Sequence, residues 1–218
     1  MTAEELTEAV IFSGGPAPSP KVADFVNKSS LVVAADSGLD NALSVGISPN
    51  VLIGDLDSIS EDGLKWAQDH EIEQIMFPVD KDKSDLELAL EYALPKCTAI
   101  LIIDSGLGRT DQLYGLIGLL GSKANSPTPC RAIIADALVT VVSAQSEIRR
   151  SHNNVASIFA HGGDAFGVTT SGFRWNLDNT RLRLGSTLGL SNELQNDTGL
   201  VSVDEGTLLV IQPEIFAN

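Results

Sequence analysis

Short apolar runs alternate with segments of helical periodicity from the start of the chain to about Ala144, and this alternation limits the fold more than any other feature. It is typical of a parallel sheet flanked by helices, because both faces of such a sheet are buried and its strands are continuously apolar. It predicts an α/β fold with a mainly parallel sheet. The candidate strands are residues 9–12, 31–35, 51–53, 74–77, 100–103, 132–135 and 138–142.

Local signals predict two helices in the same half. Over residues 83–95, Ser84 and Glu87 form a capping-box pattern, leucines supply apolar surface and Pro95 ends the helix. A second helix is predicted over residues 111–120, after a glycine-rich turn at 105–108. Ligands of α/β sheets bind beyond the carboxyl ends of the strands, so the polar residues at those ends are the candidates for function.

The chain changes character after about Ser143. Residues 155–160, 165–170, 181–184 and 207–211 are predicted strands, separated by turn clusters and without a convincing amphipathic helix. We therefore predict an α/β domain over residues 1–143 and a smaller all-β domain over residues 144–218.

The charge of the chain disfavours some partners. Its 218 residues carry a formal net charge of −15, a field that repels nucleic acid and anionic membrane surfaces. A phosphorylated ligand is still compatible if divalent cations bridge it to carboxylates. The acidic N-terminus, the lack of a long apolar run and two cysteines outside any metal or redox spacing predict a cytoplasmic protein with no nucleic-acid or membrane partner.

The segment Gly54-Asp55-Leu56-Asp57-Ser58 follows a predicted strand. Two carboxylates placed two residues apart can point the same way and hold Mg2+, which prefers oxygen ligands and is often bound together with substrate phosphates. A polar turn explains the same residues, since Asp and Ser favour turns. The segment alone does not choose between the two interpretations.

The segment Lys81-Asp82-Lys83-Ser84-Asp85 opens the first predicted helix. Ser84 is explained as a helix cap, and Asp85 as a first-turn carboxylate that interacts favourably with the helix dipole. Lys81 and Asp82 are not needed for capping. A lysine beside a metal-binding acid can neutralise a phosphoryl group during its transfer.

Two further strand ends carry acids. Arg109 and Asp111 follow the glycine-rich turn, where Arg109 offers a planar fork for phosphate and Asp111 can ligate metal or cap the next helix. Asp36 follows the strand at 31–35. Like charges that converge on one crevice are costly unless a cation or substrate compensates them, so the set of acids predicts a cation-dependent site.

Two common nucleotide motifs are absent from the sequence. It contains neither a G-x-x-x-x-G-K-[ST] loop nor a G-x-G-x-x-G fingerprint. The chain is therefore not a standard P-loop kinase or a Rossmann dehydrogenase.

Taken in order, Asp36-Ser37-Gly38, Gly54 to Ser58, Lys81 to Asp85 and Gly108 to Asp111 resemble the motifs of the thiamine pyrophosphokinase family. The resemblance continues at Gly172-Phe173-Arg174-Trp175-Asn176-Leu177 and at Ser191-Asn192-Glu193, and it spans nearly the whole chain. Each motif is weak alone, but their order is specific.

The resemblance implies an α/β catalytic domain that binds ATP and Mg2+, a C-terminal β-sandwich that binds thiamine, and a homodimer with active sites between subunits. The implied reaction is transfer of diphosphate from ATP to the thiamine hydroxyl, which gives thiamine diphosphate and AMP. The implied metal ligands are Asp55, Asp57 and Asp82, which together with Lys81 form the implied catalytic set. The implied ATP site consists of Asp36, Lys81, Ser84, Asp85, Arg109 and Asp111, and the implied thiamine site of Trp175, Ser191 and Asn192.

Two positions depart from the family pattern. Gln112 stands where the family usually has histidine, and glutamine cannot carry a proton charge near neutral pH. Ser37 replaces the second glycine of the early motif. The two departures keep open a divergent or weakly active family member, and Gln112 keeps open a non-catalytic nucleotide or thiamine sensor on the same fold.

A different acceptor and a different reaction also remain open. The acceptor can be another heterocyclic alcohol, and Asp55-Leu56-Asp57-Ser58 superficially resembles the nucleophile motif of haloacid dehalogenase phosphohydrolases, although their later motifs are missing. Without the family resemblance, Trp175 is better explained as a core or dimer-contact residue and Ser191-Asn192 as a turn.

Overall fold

The computed structural model describes residues 8–28, 30–122 and 128–216. The chain forms two compact units, one of Met1–Leu116 with Thr128–Ala135 and the other of Ile117–Pro127 with Asp136–Asn218. The domain boundary between residues 143 and 144 stays a prediction.

A parallel sheet organises the first unit. Its strands are β1 (Ala9–Phe12), β2 (Leu31–Ala35), β3 (Val51–Gly54), β4 (Glu73–Met76), β5 (Ile100–Asp104) and β6 (Cys130–Ile134). They lie in the order β4-β3-β2-β1-β5-β6, and each of these pairings is parallel. β1, β2 and β3 are buried along their whole length, which explains their continuous apolar sequences.

In the part of the chain that the structure describes, four α-helices accompany these strands. They are α1 (Gly38–Ser44), α2 (Glu61–Asp69), α3 (Asp85–Ala93) and α4 (Thr110–Ser122), and short 3-10 helices span Pro20–Phe25 and Leu94–Lys96. α3 and α4 correspond to the helices predicted at 83–95 and 111–120, whereas α1 and α2 were not predicted. In the described part of the chain, none of the helices has both the length and the apolar character needed to cross a bilayer.

An antiparallel sheet organises the second unit. Its strands are β7 (Ala137–Val142), β8 (Gln145–Arg149), β9 (Ser157–Ser171), β10 (Thr180–Leu182), β11 (Thr198–Ser202) and β12 (Glu205–Gln212). They lie in the order β7-β12-β9-β11-β8, with β10 also paired to β9, and these pairings are antiparallel. All six strands contribute to one cluster of buried apolar side chains, for example through Val142, Ile158 and Val201.

The long strand β9 differs from the sequence prediction. We predicted separate strands at 155–160 and 165–170, with a turn cluster between them. In the structure one strand runs through this region, because its first part pairs with β12 and its last part with β11. β8 and β11 were also not predicted.

Candidate functional site

The carboxyl ends of β2 and β3 bring the first acids together. These strands pair in register at Ala35 and Ile53, and the Asp36 N–H donates to the Ile53 carbonyl at 2.8 Å. Asp36 has a φ of 49° and Leu56 a φ of 65°, values that non-glycine residues rarely adopt and that often mark functional sites. The two turns are therefore held in unusual conformations at the same sheet edge.

Three carboxylates meet at this edge. Asp36, Asp55 and Asp57, which we call the acidic cluster, each place one oxygen within 4.8 Å of the others. The pKa of Asp57 is raised, chiefly by the negative charge of Asp55. Repulsion of this kind favours a positive charge between the carboxylates, so the cluster is a candidate cation site.

Asp36 has one satisfied and one unsatisfied oxygen. The Ser58 hydroxyl donates to Oδ2 and also lies 3.0 Å from Ser37 Oγ, so Ser58 holds this side of the carboxylate. Oδ1 is buried and has no hydrogen-bond partner among the described residues. A buried carboxylate oxygen without a partner is costly, and a hard cation such as Mg2+ would satisfy it. The donor set therefore fits a magnesium ion.

Lys81 contributes the positive charge beside the cluster. Its Nζ lies 2.7 Å from Asp55 Oδ2 and 3.1 Å from Asp85 Oδ1, and only 13% of its side chain is exposed. The hydrogen bond from Lys81 lowers the pKa of Asp55, and the same bond raises the pKa of Lys81. Both groups are thereby kept ionised.

Ser84 and Asp85 stand at the start of α3. Ser84 Oγ accepts a hydrogen bond from Glu87 N at 3.2 Å, as the capping interpretation predicts. Asp85 Oδ1 is buried and, despite its ion pair with Lys81, lacks a partner with hydrogen-bond geometry among the described residues. Burial raises the pKa of Asp85, and the interaction with Lys81 opposes that effect.

Gly54 lies close to both Asp85 and Asp36. A Cβ atom at Gly54 would lie 3.1 Å from Asp85 Oδ1 and 3.2 Å from Asp36 Cβ, and its φ of 151° disfavours any other residue. Asp85 and Asp36 therefore both lie against the place that a Cβ atom at Gly54 would occupy.

Asp82, predicted as a metal ligand, is exposed and is not a member of the acidic cluster. Asp36, which the family resemblance implies for ATP binding, joins Asp55 and Asp57 instead. The role of Asp82 stays a prediction.

Arg109 and Asp111 form an exposed pair at the start of α4. Arg109 Nη2 lies 2.6 Å from Asp111 Oδ2, with 72% and 66% of the two side chains exposed. The hydrogen bond from Arg109 lowers the pKa of Asp111, which also accepts from Gln112 N at 3.0 Å. Exposed ion pairs contribute little free energy, so Arg109 can exchange this partner for a phosphate at small cost.

The residues implied for thiamine lie in the second unit. Trp175 is 53% exposed, and the Arg174 guanidinium carbon lies 4.6 Å from its ring centroid. Asn192 is buried, with its Oδ1 accepting from Trp175 N at 3.2 Å and its Nδ2 donating to Trp175 O at 2.8 Å. Asn192 therefore fixes the backbone of Trp175, while exposed Ser191 adopts a φ of 55°.

Two family models match this chain. The model for the catalytic domain of thiamin pyrophosphokinase matches residues 22–131, and the model for its vitamin B1 binding domain matches residues 145–208. This chain belongs to the thiamine pyrophosphokinase family. Membership confirms the predicted family and the predicted enzyme activity, that of a thiamine pyrophosphokinase.

Known thiamine pyrophosphokinases support the same assignment over nearly the whole chain. Thiamine pyrophosphokinase from Bacillus subtilis is 30% identical over 206 residues, which cover 93% of this chain and 96% of the relative. The crystal structure of thiamine pyrophosphokinase from Bacillus subtilis has a TM-score of 0.85 at 28% identity, with 96% of this chain and 100% of that chain covered.

More distant thiamine pyrophosphokinases share the fold. The Candida albicans structure has a TM-score of 0.80 at 13% identity and covers 96% of this chain and 90% of that chain. At this identity the likeness supports the fold alone.

The sequence of this thiamine pyrophosphokinase family member did not lead us to select three further polar residues near the same sheet edge. They are Ser13, which follows β1, Asn41 of α1 and Asp104 at the end of β5, and hydrogen bonds connect them in series. Asp104 directly follows the apolar run at 100–103. The strand-end rule that selected Asp36 applied equally to Asp104.

Proposed function

We propose that this chain transfers the diphosphate of ATP to the hydroxyl of thiamine, with the acidic cluster and Lys81 as the chemical centre. The observation that carries the proposal is the acidic cluster itself, in which three carboxylates converge beside a largely buried lysine. Acids in this arrangement bind divalent cations, and divalent cations bind the phosphates of ATP. Family membership supplies the acceptor, thiamine.

Asp55 and Asp57 are the proposed magnesium ligands, together with Asp36 from the acidic cluster and Asp82 from the family resemblance. The unpartnered buried oxygen of Asp36 supports its inclusion. Magnesium, when bound, neutralises charge on the phosphate oxygens of ATP.

In the proposed reaction the thiamine oxygen forms a bond to the β-phosphorus, and the bond from that phosphorus to the α,β-bridging oxygen breaks. AMP leaves, and a carboxylate of the acidic cluster accepts the hydroxyl proton. Lys81 and Arg109 hold positive charge against the phosphates. Asp85 keeps Lys81 in place through its ion pair, and Ser84 and Asp111 complete the ATP site.

The second unit is proposed to bind thiamine through Trp175, Ser191 and Asn192. The exposed indole of Trp175 already accepts one cation, Arg174, on its ring, and thiamine contains a cationic ring that suits the same kind of contact. We further propose that residues 144–218 form a β-sandwich domain and that residues 1–143 form the catalytic domain.

We also propose a cytoplasmic homodimer with active sites shared between subunits. Mixing two impaired variants, Lys81→Ala and Trp175→Ala, at a thiamine concentration far below the wild-type KM tests the sharing, because hybrid dimers contain one site with both residues intact. Random exchange of equal amounts of the two variants makes about a quarter of all sites intact, so recovery of about a quarter of the wild-type activity is expected. No recovery from subunits shown to exchange would contradict shared sites.

A product assay tests the proposed function. Purified protein is incubated with ATP, Mg2+ and thiamine, and AMP, ADP and thiamine diphosphate are separated, with a control that lacks thiamine. AMP and thiamine diphosphate should appear together in equal amounts. Folded protein that binds ATP but forms neither product would overturn the proposal and favour a sensor, and AMP formed only with another alcohol would change the acceptor.

A further inference from the structure

Asp104 is a carboxylate at the same sheet edge whose oxygens are both occupied by the protein. It is the last residue of β5. Its Oδ2 accepts from the Ser13 hydroxyl at 2.5 Å, and its Oδ1 accepts from Gly106 N at 2.7 Å. Ser13 is 6% exposed. Asp104 therefore ties the end of β1 to the loop that follows β5.

The tied loop, residues 105–108, is confined on both sides. A Cβ atom at Gly106 would lie 2.8 Å from the Ala135 Cβ, and one at Gly108 would lie 3.0 Å from Pro16 Cδ. Both glycines have positive φ, 68° and 95°, which other residues rarely adopt. Within the loop, Leu107 N donates to Ser105 Oγ at 3.1 Å. The residue after the loop is Arg109.

Asn41 of α1 holds the other end of the network. Its side chain is 5% exposed, and its Nδ2 donates to the carbonyls of Ser13 and Gly15 at 2.8 and 3.2 Å. A continuous series of hydrogen bonds thus runs from Asn41 through Ser13 and Asp104 to the amide of Gly106. Charged acceptors make the strongest bonds of such a series.

We propose that Asp104 is a positioning residue that holds residues 105–108 in the conformation in which Arg109 meets the nucleotide phosphates. It acts through Ser13 and Gly106, because each of its carboxylate oxygens accepts a hydrogen bond from one of these residues. This proposal rests on the proposed function, because the ATP site includes Arg109. A loop that is already ordered loses less conformational entropy when the nucleotide binds, so Asp104 acts on nucleotide affinity.

Two substitutions separate geometry from charge. Asp104→Ala removes both hydrogen bonds. Asp104→Asn removes the charge but keeps an acceptor for Gly106 N and offers an amide donor to Ser13 Oγ, whose proton can turn to the Ile103 carbonyl 3.2 Å away. A positioning role predicts that the alanine variant is impaired and that the asparagine variant resembles the wild type.

The first measurement is amide hydrogen exchange at Gly106 and Leu107 in the full chain without nucleotide. Exchange should be about tenfold faster in Asp104→Ala than in the wild type, as expected when Gly106 N loses its hydrogen-bond acceptor, and close to wild type in Asp104→Asn, whose amide oxygen still accepts from Gly106 N. Unchanged exchange in Asp104→Ala would overturn the proposal whatever the enzyme does. If that variant does not fold, Ser13→Ala is measured instead and should accelerate exchange at Gly106.

The second measurement is the affinity for α,β-methylene-ATP, followed by the steady-state constants for ATP. Asp104→Ala should raise Kd and the KM for ATP about tenfold with a smaller change in kcat, and Asp104→Asn should restore both. Equal losses in the two variants, with a higher Mg2+ requirement, would show that Asp104 acts through its charge and would overturn the positioning role. The variants can show the expected differences in exchange while the wild-type protein binds no nucleotide. In that case the proposed function and this role for Asp104 are both wrong, whereas the hydrogen-bond network is confirmed.

Discussion

Lys81 Nζ lies 2.7 Å from Asp55 Oδ2, although 26 positions of the chain separate the two residues. The same nitrogen lies 3.1 Å from Asp85 Oδ1. One cation thus joins the turn after β3 to the start of α3, beside the acidic cluster. Its charge is already fixed in place before any phosphate arrives, which is the arrangement expected of an electrostatic catalyst.

Replacing Lys81 with alanine should lower the kcat for AMP and thiamine diphosphate formation by about 10²–10³-fold, the usual cost of losing one preorganised charge contact. The matched control is Lys83→Ala, because Lys83 is only two positions away but its exposed side chain pairs with Glu91. Lys83→Ala should stay within about threefold of wild type, since exposed ion pairs contribute little. Equal losses of kcat in both variants would contradict a specific role of Lys81 in the reaction.

Asp57→Asn should weaken Mg2+ binding without lowering the thermal stability of the metal-free protein. Without divalent cations the variant should have the same or a higher Tm than the wild type, because the charge of Asp55 raises the pKa of Asp57 and repulsion is relieved when Asp57 is neutral. Thermal unfolding with and without Mg2+ provides the comparison, and the wild type should gain more Tm from Mg2+.

The activity of Asp57→Asn completes that test. The Mg2+ concentration for half-maximal turnover should rise about tenfold or more, because the number of charged ligands sets cation affinity. Asp69→Asn, at the exposed end of α2, is the control and should leave the Mg2+ dependence unchanged. A normal Mg2+ requirement in Asp57→Asn would exclude Asp57 as a ligand.

The sequence predicted those parts of the fold whose signals are local. The Ser84 cap and Pro95 bracket α3, and the buried strands β1 to β3 follow from their apolar runs. β9 could not be predicted as one strand, because its continuity depends on pairing with β11 and β12, which lie distant in the chain. Pairing with these two strands keeps β9 extended through glycines that otherwise favour a turn.

The acidic cluster, like β9, could be predicted from the sequence only in part. Asp55 and Asp57 were selected together because they are two residues apart, whereas Asp36 joins them through the register of β2 with β3. That register is a tertiary feature. The direction of the Asp82 side chain likewise depends on neighbours that its own segment does not contain, so its spacing from Asp55 was not predictable.

Ser84→Ala should cost about 1 kcal/mol in the free energy of unfolding, measured by urea denaturation, because the hydroxyl caps α3 through Glu87 N. Ser84→Asp should restore most of the stability, since Asp is an equally good cap. If Ser84 also contacts ATP, Ser84→Asp should raise the KM for ATP despite its normal stability. A fully stable Ser84→Ala variant would argue against the cap.

Trp175→Ala should raise the KM for thiamine about 5- to 30-fold, as expected for loss of a cation–π contact. The KM for ATP serves as the internal control and should not change. Trp175→Phe should retain part of the affinity because a phenyl ring offers a weaker face to a cation. A thiamine KM that is normal in Trp175→Ala would return Trp175 to a structural role.

Asp164→Asn should make stability less dependent on pH. The backbone N–H of Leu184 and then the Arg181 guanidinium hold the pKa of Asp164 below its ordinary value, so the ionised carboxylate stabilises the fold above that value and the benefit disappears as pH falls through the native pKa. The variant should have a lower Tm at pH 7, and the two Tm values should converge below about pH 4.

Asp178→Asn is the control for that measurement, because Asp178 is exposed and no hydrogen bond to its carboxylate is found among the described residues. Its Tm difference from the wild type should be small at both pH values. A constant difference between wild type and Asp164→Asn across the pH range would show that the carboxylate charge is not the cause.

The place of β12 has a consequence for how the protein is made. This strand lies between β7 and β9 in the antiparallel sheet, yet it is synthesised after both. The parallel sheet of the first unit is complete at Ile134, so it can form while translation continues. The antiparallel sheet has a gap between β7 and β9 until residue 212 has left the ribosome, and during that interval these two strands expose edges to chaperones and to neighbouring nascent chains.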